Sequence, residues 1–466
     1  MTKNRIHNLT KTKLVAYSHV LLLCVILFIF IGYTIFLSIN VKPGIIPDET
    51  YHFEVSKHLT STWGIPENIP IAQEVGKSVK HNSYLGYWIY ARMLNFFTLF
   101  VPTATEWQFL VYLRIINALF SWGTVLVTYF LAKEIISNKW LQLLPVFMLT
   151  NTLMFVFLSA GVNHDNPAIF FSTISLLFFL KSLKQKNFIQ NTLVWIILIC
   201  IACLIKYSVL PLALIMSIIW IIYFIKKKPE IKVKQLTYKA NPALFILVLL
   251  FVALNFSVYG MNIIRHKSIT PSCTDVYSKE ICEISAFSVR HKNMALPEKL
   301  TVTKAFQQGD PEPIRYIFDF WIRAMLDRIF GIMGHKTYFP ISVSYFLMLI
   351  LWSLGLGMRY IRRLNFELLC LSIIFIFYAL VLIQMNYKSE LTYGFQTAVA
   401  LQGRYIFPVI TIAYTIWGYI FEKVSNKFIR LSTILVLIAL FFYGGPIRFV
   451  MHYHSVFADW FMQFIH

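Results

Sequence analysis

Charge is the scarcest property of this sequence. Only 14% of the 466 residues are charged, against roughly 25% in a typical soluble domain, and 58% are hydrophobic. This composition excludes an ordinary soluble globular protein and predicts an all-α polytopic membrane protein. Acidic residues are scarcer still: 21 acids oppose 42 lysines and arginines, for a net charge of +21. The basic residues lie in short runs between apolar segments, as in cytoplasmic loops, so no nucleic-acid partner is expected.

Cysteine is also sparse, with six residues in the whole chain. Four of them lie in apolar segments and are interpreted as small packing residues: Cys24, Cys200, Cys203 and Cys370. The other two, Cys273 and Cys282, lie in a polar segment. They would be able to pair if that segment faces an oxidising compartment, and the sequence leaves this open.

Long apolar runs are abundant, and each run of about 20 residues is enough to cross a bilayer. The first run is longer than the apolar core of a typical signal peptide and is therefore expected to be a retained transmembrane helix. About eleven transmembrane helices are predicted within a single membrane domain (1–466), near 18–39, 108–132, 141–160, 167–183, 190–207, 209–225, 243–261, 342–358, 366–384, 404–421 and 430–446.

Basic residues precede the first predicted span and then follow every second one, including Lys181, Lys184 and Lys186 after the fourth and a lysine run at 226–239 after the sixth. The positive-inside rule then places the N-terminus in the cytoplasm of a plasma (inner) membrane and the C-terminus outside. Two long segments, 40–107 and 262–341, would face outward. The first contains Tyr84–Val101, interpreted as an interfacial helix; if it crossed the bilayer, the later alternation would invert.

The most informative stretch is Pro47-Asp48-Glu49-Thr50-Tyr51-His52-Phe53, directly after the first span. Adjacent carboxylates at a bilayer boundary are able to accept a proton from an alcohol or bind a divalent cation. Asp48 and Glu49 are therefore candidate catalytic residues, and His52 a substrate-binding candidate. The alternative is plain helix capping, with Asp48 as N-cap and Glu49 in the first turn.

A second acidic position, Asn163-His164-Asp165-Asn166, lies at the predicted outer end between the third and fourth spans. Asp165 is a further catalytic candidate, and Asn163 a substrate-binding one. With Asp48, Asp165 is also a candidate ligand for Mg²⁺ or Mn²⁺, which the sequence does not require. The alternative is that Asp165, ahead of Pro167, caps the fourth helix.

Three cations are predicted at the same membrane face: Arg114, Lys206 and Arg404. Arginine matches phosphate oxygens bidentately, and lysine supplies a compact charge, so these residues and Tyr405 are candidates for binding a lipid-linked phosphate. Gly403 would allow a ligand to approach the backbone closely. Snorkelling of the cations to the interface is the alternative.

These motifs, in this order, resemble a bacterial family of predicted membrane proteins related to the GT-C glycosyltransferases. More distantly the chain is similar to protein O-mannosyltransferases and to the aminoarabinose transferases that modify lipid A. The resemblance covers 40–210 and, locally, 400–410. Paired prolines that many relatives carry before the aromatic run are missing at His81–Trp88.

The resemblance implies an all-helical GT-C-like fold and transfer of a sugar from a polyprenyl-phosphate carrier to an envelope acceptor at the extracytoplasmic face. In this interpretation Asp48 is the general base and Glu49 its acidic companion, while Asp165 supports the acceptor or a metal. Lys206 and Arg404 would hold the carrier phosphate. Direct, inverting transfer is expected. The alternatives are a transporter, flippase or polymerase component for lipid-linked sugars, and a non-catalytic assembly protein.

Overall fold

The computed structural model describes residues 3–185, 187–227, 242–333, 337–338, 343–394, 401–449, 451 and 458–462. Ten helices within these ranges are long and apolar enough to cross a membrane: Tyr17–Asn40, Glu106–Ile135, Asp165–Leu183, Phe188–Ile205, Tyr207–Lys226, Pro242–His266, Val343–Tyr360, Phe366–Tyr393, Gly403–Lys423 and Lys427–Phe449. The predicted all-α, multi-pass architecture is confirmed.

The described residues of the first half of the chain form ten α-helices: α1 (Lys3–Asn40), α2 (Glu49–His58), α3 (Pro70–Val75), α4 (Leu85–Phe100), α5 (Glu106–Ile135), α6 (Leu143–Thr150), α7 (Leu153–Ser159), α8 (Asp165–Leu183), α9 (Phe188–Ile205) and α10 (Leu210–Lys227). Short 3₁₀ turns follow α2 and α9 at Leu59–Ser61 and Tyr207–Val209. The predicted basic positions Lys186, Lys228, Lys232, Lys234 and Lys239 lie outside the described residues.

The second half continues with α11 (Pro242–Asn255), α12 (Met261–His266), α13 (Lys279–Ile284), α14 (Ala286–Met294), α15 (Val302–Gln308), α16 (Pro313–Arg315), α17 (Ile322–Phe330), α18 (Val343–Tyr360), α19 (Phe366–Tyr393), α20 (Phe407–Lys423) and α21 (Lys427–Gly444). Two-residue strands β1 (Ile332–Met333) and β2 (Thr337–Tyr338) pair antiparallel, and π-helical turns at Phe256–Gly260 and Tyr316–Trp321 precede α12 and α17.

The prediction of one continuous span at 141–160 is wrong, because this segment forms two short helices, α6 and α7. At the break, Asn151 Nδ2 donates to the Phe147 carbonyl at 2.8 Å, and Thr152 Oγ1 donates to that of Met148 at 2.8 Å. Side chains that bond local carbonyls compete with the helical ladder, and the Thr152 hydroxyl also lies 2.5 Å from the hydroxyl of Tyr414.

The core lies between α5, α8, α9 and α20. Helix α8 packs against both α5 and α9, and α20 contacts α6, α8 and α19. Every residue of α7 is buried, so this half-length helix lies inside the bundle and not on its lipid-facing surface. The arrangement brings the start of α8, the end of α9 and the turn before α20 to one end of the bundle.

The two long segments predicted to face outward, 40–107 and 262–341, are called here the first and second outer segments, and the first folds as α2, α3 and α4 over this end. Helix α4 corresponds to the predicted interfacial segment Tyr84–Val101, and its 16 residues are too few to count among the candidate spans. Its N-terminal half is buried, with Tyr87 and Tyr90 facing inward, while Phe96 and Phe100 are exposed.

The second long outer segment contains α12 to α17. Cys273 and Cys282 form a disulfide bond there, so the pairing that the sequence left open is present in the structure. Helices α13 and α14, at and after this bond, pack against α3 of the first outer segment.

Candidate active site

A cavity of about 700 Å³ opens where these outer segments meet the helix ends. Its walls include five of the nine residues predicted from the sequence to form the site: Asp48, His52, Lys206, Arg404 and Tyr405. Residues more than 350 positions apart in the sequence therefore line the same cavity. These polar groups lie at helix ends. Asp48 precedes α2, Lys206 follows α9, and Arg404 lies in the 3₁₀ turn Gly403–Ile406 before α20.

Asp48 occupies the N-cap position of α2, but its side chain makes no capping hydrogen bond. Its backbone is left-handed, with φ of 59°, a conformation that few residues other than glycine adopt. The carboxylate is 47% exposed and forms an ion pair with Arg404. Helix capping therefore does not explain Asp48; the backbone turns its acid toward the cavity.

Arg404 connects two acids. Its Nη2 contacts Asp48 Oδ2, and its Nη1 lies 3.8 Å from Asp165 Oδ2, while its side chain is only 7% exposed. Among the described residues, neither Nε nor Nη1 has a hydrogen-bond acceptor. A buried guanidinium with two unsatisfied nitrogens is a ready site for an anion, because unpaired buried donors are costly.

Asp165 begins α8 and is buried, and it forms an ion pair with Lys206. Lys206 has extended backbone angles at the end of α9, which aim its ammonium group across to the start of α8. The Lys206–Asp165 and Arg404–Asp48 pairs thus form one network of two cations and two carboxylates. The capping role considered for Asp165 gives way to this charge pairing.

Two tyrosines hold the cations in place. The ring of Tyr405 lies 5.0 Å from Lys206 Nζ and 5.9 Å from the guanidinium carbon of Arg404, within cation–π range. The hydroxyl of Tyr378 in α19 is 3.0 Å from both the Ser208 and the Tyr405 carbonyl oxygens. This hydroxyl therefore joins the turn after α9, which carries Lys206, to the turn before α20, which carries Arg404.

Gly403 allows helix α17, and not a ligand, to approach its backbone closely. A Cβ atom at this position would lie 2.5 Å from the backbone oxygen of Arg328 in α17. The role suggested by the sequence is therefore corrected: the glycine lets α17 pack against the turn that presents Arg404.

Next to Asp48, His52 and His164 lie against Tyr87, a cluster of three buried or half-buried rings on the cavity wall. The Tyr87 hydroxyl is 3.0 Å from His52 Nδ1 and 3.3 Å from His164 Nδ1, and the two imidazole centroids are 4.5 Å apart. Burial lowers the pKa of His52 to about 4, and burial lowers the pKa of His164 well below its usual value. Both imidazoles are therefore neutral at pH 7.

The neutral histidines predict a loss of stability on acidification. The unfolded chain binds a proton at His52 near pH 6.5, whereas the folded protein does so only near pH 4. Stability is therefore full above pH 6.5 and falls between pH 6.5 and 4. His52 alone would contribute a loss of about 2 kcal/mol at pH 5. The measurement is the apparent melting temperature of purified protein between pH 7.5 and 5.

His52→Gln removes the imidazole that takes up this proton. We expect the melting temperature of this variant to depend less on pH. His58→Gln is the matched control, because His58 lies on the same helix with an exposed side chain. An equal decline in both variants would contradict the assignment to His52.

Glu49 and Arg114 lie away from the cavity. They form a fully buried bidentate pair, with Nη2 to Oε2 at 2.6 Å and Nε to Oε1 at 2.8 Å. Arg114 Nη1 also donates to the Ser38 and Val41 carbonyls, at 2.9 and 2.6 Å, and Glu49 Oε1 accepts from the Val162 amide at 3.1 Å. This placement favours a structural role over the catalytic and substrate-binding roles predicted from the sequence.

Asn163 is likewise buried below the cavity. Its Nδ2 donates to the Leu158 carbonyl at 2.8 Å, and its Oδ1 accepts from the Asn166 amide at 3.0 Å. The side chain shapes the turn between α7 and α8, which positions Asp165.

The predicted metal site does not fit the arrangement of its donors. Asp48 and Asp165 are both paired with cations, and a divalent ion between them would have to displace Arg404. Within the described residues, no group of three or more histidine, cysteine, aspartate or glutamate side chains is placed to hold a metal ion.

The chain is similar to known proteins in part of its sequence and in its fold. A model of the dolichyl-phosphate-mannose-protein mannosyltransferase family matches residues 85–264, which are fewer than half of the chain. This region contains Asp165 and Lys206 but neither Asp48 nor Arg404. A search of curated protein sequences finds no significant match.

Among solved structures, the chain is similar to the oligosaccharyltransferase AglB from Archaeoglobus fulgidus, in complex with an inhibitory peptide and a dolichol-phosphate. The TM-score is 0.50 at 12% identity, covering 92% of this chain and 55% of that one. ArnT from Cupriavidus metallidurans bound to undecaprenyl phosphate matches with a TM-score of 0.47 at 13% identity, covering 91% and 64%. The chain thus spans less than two thirds of each. The family match over 85–264 and the fold likeness to AglB confirm the distant GT-C-like resemblance inferred from the sequence.

Proposed function

We propose that this protein is a membrane glycosyltransferase that moves a sugar from a polyprenyl-phosphate carrier to an envelope glycan, lipid or protein. The observation that carries the proposal is the arrangement around Arg404: a buried guanidinium with unsatisfied nitrogens beside a half-exposed carboxylate, on the wall of one cavity. The family match and the lipid phosphates named for the two similar structures support a lipid-linked donor.

The proposed reaction uses the carboxylate of Asp48 as a base and the cations Arg404 and Lys206 as the phosphate-binding groups. Asp48 accepts the proton of an acceptor hydroxyl as its oxygen attacks the anomeric carbon of the sugar. The bond from that carbon to the carrier phosphate oxygen breaks, through a transition state with oxocarbenium character. The phosphate leaves as an anion and needs no proton, because Arg404 and Lys206 neutralise it. A single displacement of this kind inverts the anomeric configuration.

The ion pairs around Arg404 leave part of its guanidinium able to bind a phosphate. Arg404 holds Asp48 while its Nε and Nη1 remain available for a phosphate. Once the phosphate shares the guanidinium charge, the Asp48 carboxylate is less strongly held and becomes the better base. Asp165 keeps Lys206 and Arg404 at the leaving-group side through its two contacts.

We further propose that the cavity faces the extracytoplasmic side of the plasma membrane. The basic runs between apolar segments support this orientation, because they lie at the opposite ends of the spans from Asp48 in the predicted alternation. The disulfide bond in the second outer segment supports the same orientation, since such bonds persist in oxidising compartments.

The test is mass spectrometry of envelope glycans and lipid-linked sugars in a deletion strain of the native host. Loss of one sugar from an envelope component is expected, with accumulation of that sugar on its polyprenyl carrier. Purified protein should then release free carrier phosphate when given the accumulated lipid and the unmodified acceptor. Glycan loss without any new glycosidic bond made by purified protein would overturn the proposal in favour of a transporter.

A further inference from the structure

We propose that His52 and His164, joined by the hydroxyl of Tyr87, form a subsite that recognises a neutral sugar hydroxyl next to Asp48. One imidazole donates a hydrogen bond to that hydroxyl and the other accepts one from it. The inference rests on the proposed function for the class of its ligand, a carbohydrate. The hydroxyl belongs either to the sugar that is transferred or to the acceptor.

The two imidazoles use the same nitrogen toward Tyr87 and leave the other nitrogen for a ligand. The Tyr87 hydroxyl contacts Nδ1 of both rings, and within the described part of the chain Nε2 of neither ring has a hydrogen-bond partner. Neither Nε2 is among the fully buried polar atoms that lack a partner, so both retain access to the cavity. All three side chains line that cavity. A histidine with a purely structural role would have both nitrogens bonded inside the protein.

A single hydroxyl between the two imidazoles fixes the hydrogen-bonding role of each ring. Burial lowers the pKa of both imidazoles, so at pH 7 each ring carries one proton. The Tyr87 hydroxyl has one proton, so it donates to one Nδ1 and accepts from the Nδ1–H of the other ring. The first ring then carries its proton on Nε2, and the second has a lone pair there. The cluster therefore presents one donor and one acceptor to the cavity.

This pair of nitrogens selects the chemistry of the ligand. A carboxylate or phosphate only accepts hydrogen bonds, so it would face the lone pair of one Nε2. An ammonium group only donates and would face the N–H of the other, and a metal ion would find a lone pair on one ring only. A hydroxyl both donates and accepts. A neutral hydroxyl, the commonest polar group of a sugar, therefore satisfies both atoms.

The cluster is held in place by the packing of three chain segments. His52 lies on α2, Tyr87 on α4 and His164 in the turn before α8. Helix α4 packs against both α2 and α9. A Cβ atom at Gly86 would lie 3.5 Å from His164 Cβ and 3.3 Å from Ile205 Cγ2, so this glycine packs directly against the turn and the end of α9. Groups that are fixed before binding cost less entropy when a ligand arrives.

The position of the cluster relates it to the reaction. The charges of Asp48 and Asp165 act on the His52 ring, and those of Arg404 and Lys206 act on the same ring. A carrier phosphate bound by the two cations would therefore place its sugar near the cluster. Hydrogen bonds to a hydroxyl next to the anomeric carbon strengthen as oxocarbenium character develops. Loss of the cluster would then lower the rate of the chemical step as well as the affinity.

The test uses the full-length protein in detergent and the variant His164→Phe, which keeps an aromatic ring but removes both nitrogens. Tyr87→Phe is a milder second variant, because both imidazoles stay and only the hydroxyl that fixes their roles is lost. His164→Gln retains an amide that donates and accepts, so it should recover part of the loss. His58→Gln is the matched control, because His58 is exposed on α2 and does not line the cavity. Unchanged gel-filtration profiles establish that the variants are folded.

Affinities are measured for undecaprenyl phosphate and for the sugar-bearing carrier lipid that accumulates in the deletion strain. If the transferred sugar supplies the hydroxyl, His164→Phe loses about ten-fold affinity for the sugar-bearing lipid alone, and Tyr87→Phe loses less. If the acceptor supplies it, both lipid affinities stay unchanged. In that case His164→Phe needs about ten-fold more envelope extract from the deletion strain for half-maximal transfer.

Two results would overturn the subsite. One is lipid binding and transfer by His164→Phe and Tyr87→Phe that match those of His58→Gln. The other is an equal loss of affinity for undecaprenyl phosphate and for the sugar-bearing lipid, which would indicate a general disturbance of the cavity. Failure of the wild-type protein to bind either lipid would instead count against the proposed function.

Discussion

Asp48→Asn is expected to lower sugar transfer by about 10²–10⁴-fold, the range typical for loss of a general base. The amide cannot accept the proton of the acceptor hydroxyl. It has nearly the same volume, and asparagine tolerates the left-handed backbone that Asp48 adopts. Because the Asp48 carboxylate is 47% exposed, its ion pair with Arg404 contributes modestly to stability, and the variant should fold. The measurement is the initial rate of carrier-phosphate release by purified protein.

Glu54→Gln provides the control for this experiment. Glu54 lies on α2, six residues after Asp48, and forms an exposed pair with Lys57 at 3.4 Å, outside the cavity. Its variant should transfer sugar at the wild-type rate. A folded Asp48→Asn protein with near wild-type turnover would remove Asp48 from the reaction and leave Asp165 as the other acid of the network.

The membrane architecture was accessible from the sequence because hydropathy is a property of local composition. Ten of the eleven predicted spans correspond to long helices. The segment 141–160 did not, because its helix breaks at Asn151 and Thr152, whose effect depends on bonds to nearby carbonyls and to Tyr414. A single tertiary hydroxyl contact is invisible to a hydropathy pattern.

Part of the candidate site could also be predicted from the local composition of the sequence. Charges at span ends, such as Lys206 and Arg404, stand out in an apolar sequence. The sequence did not separate Asp48 from Glu49, although successive residues at the start of a helix point about 100° apart. One acid enters the cavity and the other enters the protein interior.

Other site residues carry no signal in the chain itself. Tyr87, His164 and Tyr378 were not among the predicted site residues, because tyrosine is common in this sequence and their roles arise from hydrogen bonds to remote partners. His164 lies within the motif 163–166, but only the fold places its ring 4.5 Å from that of His52.

The second large effect is expected for substitution of Arg114. It concerns the stability of the fold and not the rate of the chemical step. Arg114→Met would leave the Glu49 carboxylate buried without a counter-charge, which costs about 3–5 kcal/mol in comparable buried pairs. It would also remove the guanidinium from the carbonyls of Ser38 and Val41, at the end of α1. We expect little folded protein, measured as the yield of monodisperse material and its apparent melting temperature.

The double variant Arg114→Met/Glu49→Leu separates this structural role from substrate binding. Replacing both charges by apolar side chains removes the uncompensated carboxylate, so a large part of the lost stability should return. Arg114→Lys should remain impaired, because one ammonium group cannot reproduce the bidentate contact or the two carbonyl contacts. Arg265→Met, at an exposed arginine of α12, is the matched control. A stable Arg114→Met protein that binds undecaprenyl phosphate more weakly would instead restore the substrate-binding role predicted from the sequence.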